Sequence, residues 1–291
     1  MLDSITQHIF SQPPTATLYH YTSLSGLLGI VNSRELRASD IRYMNDSAEL
    51  RHTLDLMINQ VTHRIVSGTD NPNTLNQFLE WLSHRVVGGP MLFGASFRAN
   101  GNLLSQWRGY SEQDKGVSLG FNPQRIAACA ERQQFQIAKC IYDSRLQTEL
   151  ITQVMDAVET LAASVDIDNP DLNLDQVFEG IEGDILRIAA VIKHPSFAEE
   201  EEWRLVSPVI SLEQDENAVR FREGTSMLVP YYAFDLSDDT TRQIYLDHVF
   251  LGPTGNSELS MKSIELFLQQ SGASPARGIS YCQIPYRQRR A

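Results

Sequence analysis

Four clusters in this 291-residue chain bring together side chains able to bind or transform a ligand. His20-Tyr21-Thr22 closes a short apolar run. Neighbouring strand residues face opposite sides, so His20 and Thr22 share one face and Tyr21 takes the other. A histidine there can donate to a ligand hydroxyl or carry a proton, and it serves equally to bond a backbone carbonyl in the core. Asn45-Asp46-Ser47-Ala48-Glu49 precedes a strong helical stripe. Asp46 with Glu49 three residues on is a capping-box pattern, and the same helix start can hold an anion. Ser105-Gln106-Trp107-Arg108-Gly109-Tyr110 sets two aromatics around an arginine. That set can stack a flat ring and pair a phosphate or carboxylate, or simply pin a loop over the core. Glu199-Glu200-Glu201-Glu202-Trp203-Arg204-Leu205-Val206 joins four acids to a strand. Alternation puts Glu200, Glu202 and Arg204 on a surface face and buries Trp203 and Leu205. Four adjacent carboxylates repel, which raises the pKa of any that is partly buried.

The elements that position these clusters follow from periodicity. Thr17–Tyr21 reads as a strand, and Thr22 or Ser23 caps a short helix through Leu24, Leu27, Leu28 and Val31. Leu50, Leu54, Met57, Val61 and Ile65 form a helical stripe capped by Asp46 or Ser47 and stopped at Gly68. A helix around 75–87 ends at Gly88-Gly89-Pro90. Strands are predicted at 91–97, 116–121 and 135–142, with Trp107, Arg108 and Tyr110 on a polar loop between the first two. Helical patterns cover 144–163 and 174–192, broken by Asn169-Pro170. Strands at 202–206, 218–221, 227–234 and 243–251, a helix at 257–270 and a strand near 279–282 complete the chain. Grouped helices and grouped strands predict an α+β fold with a mixed or antiparallel sheet. We expect one domain over 1–291, with 144–193 as a helical insertion.

Composition narrows the function. The 24 basic and 36 acidic residues give a net charge of −12, which disfavours generic nucleic-acid binding. Twenty of the cations are arginine and four are lysine, so local anion pockets fit inside an acidic shell. No apolar run approaches a membrane span and the first residues do not read as a signal peptide, so a soluble, cytoplasmic protein is expected. Cys129, Cys140 and Cys282 show no metal spacing and read as buried thiols. The phosphate-loop, dinucleotide, nucleophile-elbow and HExxH motifs are absent, and no two of the seven histidines lie within five residues of each other.

Taken in order, the four clusters and His248-Val249-Phe250-Leu251-Gly252 resemble a large, mostly bacterial family described only as a domain of unknown function. Many members carry Trp-x-His-Tyr where this chain has Trp107-Arg108-Gly109-Tyr110, and often a histidine where it has Lys115, so no role for those histidines is carried over. A more distant resemblance is to ADP-ribosyltransferases of the His–Tyr–Glu type. His20, Tyr110 and Glu202 occur here in that order, with Glu200-x-Glu202 similar to the paired acids of the arginine-modifying branch. The resemblance implies that type of sheet core with helical insertions, and NAD as substrate without a metal. It further implies that His20 holds the adenosine-side ribose and Tyr110 stacks nicotinamide. Glu202 would bind the nicotinamide-ribose 2′-hydroxyl and stabilise an oxocarbenium-like transition state. Tyr21, Tyr43 or Tyr142 could stand in for Tyr110. Around the catalytic trio the NAD contacts are assigned to Tyr21, Thr22, Asn45, Ser105, Gln106, Trp107, Arg108, Glu200 and Arg204.

Three functions are weighed. The first is transfer of ADP-ribose to an unknown macromolecular target, or NAD hydrolysis, in a toxin or phage-defence setting. The second is a non-catalytic module binding a nucleotide or other anion, with Trp107, Arg108 and Arg204 as contacts and Glu202 structural. The third is a metal-dependent hydrolase or nuclease using Asp46, Glu49, Glu200 and Glu202.

Overall fold

The computed structural model describes residues 2–44, 48–69, 71–110, 116–163, 174–210 and 219–283; for Ala48, Glu49, Val86, Val87 and Tyr110 it describes the backbone alone. In chain order the elements are α1 (Leu2–Phe10), β1 (Leu18–Ser23), α2 (Leu24–Ser33), β2 (Glu35–Asp40), α3 (Ala48–Ser67), α4 (Pro72–Gly88), β3 (Phe93–Arg98) and α5 (Leu104–Tyr110). They continue as β4 (Gly116–Phe121), α6 (Pro123–Arg132), β5 (Gln136–Lys139), α7 (Ser144–Ala163), α8 (Leu174–Glu179) and α9 (Glu182–Val191). The last are β6 (Glu202–Val206), β7 (Val219–Glu223), β8 (Leu228–Asp235), β9 (His248–Leu251), α10 (Ser257–Gln270) and β10 (Ile279–Tyr281).

The fold is α+β, as its grouped periodicities require. Ten strands form one open sheet in the order β10-β9-β4-β1-β3-β2-β8-β7, with β6 and then β5 branching from β3. Every pairing is antiparallel except β9 with β10. The sheet buries an apolar face built from Leu18, Phe97, Leu119, Val249 and Leu205, against α2, α6 and α10. A second core joins helices from separate stretches of chain: Met57 and Val61 of α3, Phe78 and Trp81 of α4, Ile151 and Val154 of α7, and Ile185 and Ile188 of α9. Residues 144–163 and 174–191 therefore pack with α3, α4 and α1 instead of standing as a separate hairpin. The α9 residues Ala189 and Ala190 lie with Ala138 and Val206 and seat this helical layer on the sheet's other face.

Local chemistry explains the boundaries. Ser23 caps α2 by accepting from the Gly26 amide, Asn122 caps α6 through two amides, and Gly68, at a φ of 89°, ends α3. Three expectations need correction. The polar stretch around Trp107 is the helix α5, because Trp107 and Gln106 bury on one side of it. The pattern at 174–192 is two helices, interrupted by a turn at Gly180 and Ile181. Of the strand expected at 243–251 only β9 forms, since Asp238 turns the preceding loop back by accepting from the amides of Thr240 and Thr241. The Asn169-Pro170 break lies outside the described residues.

Strand β3 is where the sheet divides. Its one edge pairs with β6 from Gly94 to Arg98. Its other edge meets β1 at Arg98 and β2 at Phe93 and Gly94. Between those points, at Ala95–Phe97, no strand pairs with that edge among the described residues. The candidate site sits at this gap.

Candidate functional site

Register fixes what shares a face at the gap. Tyr19, Arg98 and Glu202 form one cross-strand row, on the face that carries Ser96 and Arg204. His20, Phe97 and Trp203 form the next row, on the opposite face. His20 and Glu202, expected to converge on one ligand, thus belong to opposite faces. Ser96 lies between them: its carbonyl is bonded by His20 and its hydroxyl by Glu202.

The Glu202 carboxylate is fully buried and fully engaged. One oxygen accepts from Ser96 Oγ at 2.6 Å and from Arg204 Nε at 2.8 Å. The other lies 2.6 Å from Lys193 Nζ and 3.1 Å from Arg98 Nη1. Glu200 extends the network, taking Lys193 at 2.6 Å and Arg98 at 2.8 Å. Arg204 also donates to the Ala190 carbonyl, so the cluster ties β3, β6, α9 and the segment before β6 together. Burial by itself would raise the Glu202 pKa, but the charges of Arg204, Arg98 and Lys193 outweigh it and hold the carboxyl well below the usual range. Two expectations are reversed here. Cations, and not neighbouring acids, set the Glu202 pKa. Glu202 and Arg204 are also buried while Trp203 stays partly exposed. Glu200 is not on the strand: it ends a 3-10 turn at Pro195–Glu200, and Glu201, at a φ of 40°, redirects the chain.

The aromatic cluster is likewise interior. Trp107 is fully buried, its indole N–H donates to Asn102 at 2.8 Å, and its ring meets Tyr21 edge-on at 4.8 Å. Tyr21 Oη donates to the Asn100 carbonyl and accepts from the Leu103 amide, and burial pushes its pKa well above the usual phenol value. Neither ring offers a face for stacking a ligand, which corrects that expectation. Gln106 and Ser105 reach Glu200 and Glu199 across the rim at 3.4 Å. Arg108 is exposed on α5. Asn45 and Asp46 lie outside the described residues, as do the side chains of Glu49 and Tyr110.

His20 is different. A carbonyl can only accept, so the 3.0 Å contact to Ser96 O makes Nδ1 the protonated nitrogen. Burial lowers the imidazole pKa, the Ser96 bond opposes this, and Arg98's charge lowers it further. The ring is neutral at pH 7, and Nε2 carries a lone pair with no hydrogen-bond partner among the described residues. His20 and Trp203 are both partly exposed, and Thr22 shares their face. Gly26 makes room for Thr22: a Cβ there would lie 1.9 Å from Thr22 Oγ1. Sequence reasoning missed Trp203, which is partly exposed while packing against the sheet's apolar core, because its reading of β6 alternation exchanges the two faces.

Among the described residues no group of three or more His, Cys, Asp or Glu is placed to hold a metal ion, and no helix is long and apolar enough to cross a membrane. All three cysteines are buried and outside any disulfide. Comparison with known proteins adds one finding. Residues 106–205 match a family described as a protein of unknown function, DUF2971. The matched stretch runs from α5 through most of β6, so it contains Trp107, the Glu199–Glu202 acids, Lys193 and Arg204 but not His20. No curated protein matches the chain.

Proposed function

We propose that the protein binds a nucleotide-class ligand at the β1–β3 gap and that Glu202 is a structural group there. The observation that carries this reading is the His20 tautomer. A neutral imidazole with Nδ1–H fixed on Ser96 presents Nε2 as an acceptor, which suits a ribose hydroxyl. Trp203, in the same cross-strand row, supplies a partly exposed aromatic surface for a base. The first turn of α2, which begins one residue after Ser23, supplies backbone amides for a phosphate. Equilibrium dialysis with adenylate-labelled NAD and with AMP tests this. Saturable binding by the wild type that weakens about tenfold in His20→Gln is expected, the loss of a hydrogen bond with its buried partner group left unpaired. Equal binding by both proteins would overturn it.

The transferase reading remains the second, because the bonds of Ser96 bring His20 and Glu202 to one residue. It requires Glu202 to exchange Arg204, Arg98 and Lys193 for a ribose hydroxyl. Nicotinamide release by the wild type that disappears in Glu202→Gln would establish it. The metal-dependent reading draws less support, since both Glu202 oxygens and one Glu200 oxygen are bonded to cations; Asp46 and the Glu49 side chain lie outside the described residues.

A further inference from the structure

The far end of the sheet carries a second set of polar side chains that the His20 site does not use. Register places Arg37 and Ser39 of β2, Tyr231 of β8, and Arg220 and Arg222 of β7 on one face. The carboxylates of this face are committed: Glu35 to Arg220 at 3.0 Å, and Asp235 to Arg132 and Arg242. Arg37 and Arg222 have no acidic partner among the described residues. Arg37 instead lies over the Tyr231 ring, 5.4 Å from its centre, and Arg222 Nη2 turns inward to Ser39 Oγ at 3.1 Å. Ser39 and Tyr231 are direct cross-strand partners, so the residues that hold the two guanidinium groups are neighbours on the sheet.

A solubilising arginine on an outer strand extends into water, as the exposed Arg220 does beside Glu35. Arg222 is half-buried, and both burial and the like charge of Arg37 lower its pKa. Two like charges this close, with no acidic partner among the described residues, are a cost that an anion would relieve. We propose that Arg37, Arg222, Ser39 and Tyr231 form a binding site for a small phosphate-class dianion. Two guanidinium forks and the Ser39 hydroxyl offer more donors than a planar carboxylate accepts, whereas a tetrahedral phosphate can take them all. The acidic body disfavours a polyanion and selects a small ligand.

Calorimetric titration of the full chain with inorganic phosphate at low ionic strength tests the site, with AMP as a second arm. Saturable phosphate binding is expected. Arg37→Gln and Arg222→Gln should each weaken it about tenfold, the loss of a bond to a charged group. Arg37 is exposed, so its variant reports on binding without a folding defect. His20→Gln should bind phosphate as the wild type does, which separates this site from the nucleotide site. In His20→Gln, where the nucleotide site is weakened, equal affinity for the two ligands identifies free phosphate as the source, and tighter AMP binding that Arg37→Gln weakens identifies a phosphate ester; both support the site. Absence of saturable phosphate binding, or binding unchanged when Arg37→Gln and Arg222→Gln are combined, overturns it. So does binding confined to a single-stranded oligonucleotide.

Discussion

The two faces of the sheet at the β1–β3–β6 crossing differ in one respect that matters for function. On one, Arg98, Lys193 and Arg204 surround Glu202 and Glu200 so closely that the carboxylate has no oxygen to give a ligand. On the other, the row His20–Phe97–Trp203 carries little charge but leaves an imidazole nitrogen and part of an indole available. Density of charge therefore does not mark the binding face. Whether each polar atom is already satisfied does, because a satisfied buried group can engage a ligand only by breaking bonds it already has.

The comparison breaks most visibly if Glu202 is neutralised. Glu202→Gln leaves three cations around an uncharged amide, and removing one partner of a buried pair costs about 3–5 kcal/mol. Urea unfolding should show a lower midpoint of that order, and an unchanged midpoint would show that the network holds nothing together. The same substitution sharpens the acid response. Because Arg204, Arg98 and Lys193 overcome burial, the folded-state pKa of Glu202 lies below its unfolded value of about 4.3. Its stabilisation is complete above the unfolded value and is lost as pH falls through the folded one. Unfolding free energies measured from pH 6 downward should fall more steeply for the wild type than for Glu202→Gln below about pH 4.

A smaller effect is expected at Trp107. Trp107→Phe removes the donor to Asn102 and should cost about 1–3 kcal/mol, again by urea unfolding. Ligand affinity should stay unchanged, because the ring is fully buried; a loss of affinity would return Trp107 to the ligand site. The smallest stability change belongs to His20→Gln, about 1 kcal/mol for the Ser96 bond, alongside the weakened nucleotide binding.

Much of the fold was legible in the sequence. The bounds of β4, α7, β6 and α10 follow directly from periodicity and caps, since their apolar spacing is regular. Strand β2 and helix α6 went unread: Glu35–Asp40 mixes charged and small residues, and the apolar positions of α6 are few. At the site, His20 was recognised as a candidate from its place on β1. What strand alternation cannot supply is which face the rest of the chain covers. Glu202 and Arg204 read as surface residues until α9 and Lys193 are seen lying over them, and those contacts come from the tertiary fold. For the same reason Trp107, whose partner Asn102 lies on the same turn of chain, read as a ligand platform when it is a core residue.

The most direct test of the central claim is a parallel titration of wild type, His20→Gln and Glu202→Gln with adenylate-labelled NAD in whole bacterial lysate. It would follow bound label, free nicotinamide and label transferred to macromolecules together. The account predicts saturable binding that His20→Gln weakens about tenfold and a folded Glu202→Gln retains, with neither nicotinamide release nor transfer. Release or transfer by the wild type that Glu202→Gln abolishes would contradict it and make Glu202 the catalytic group.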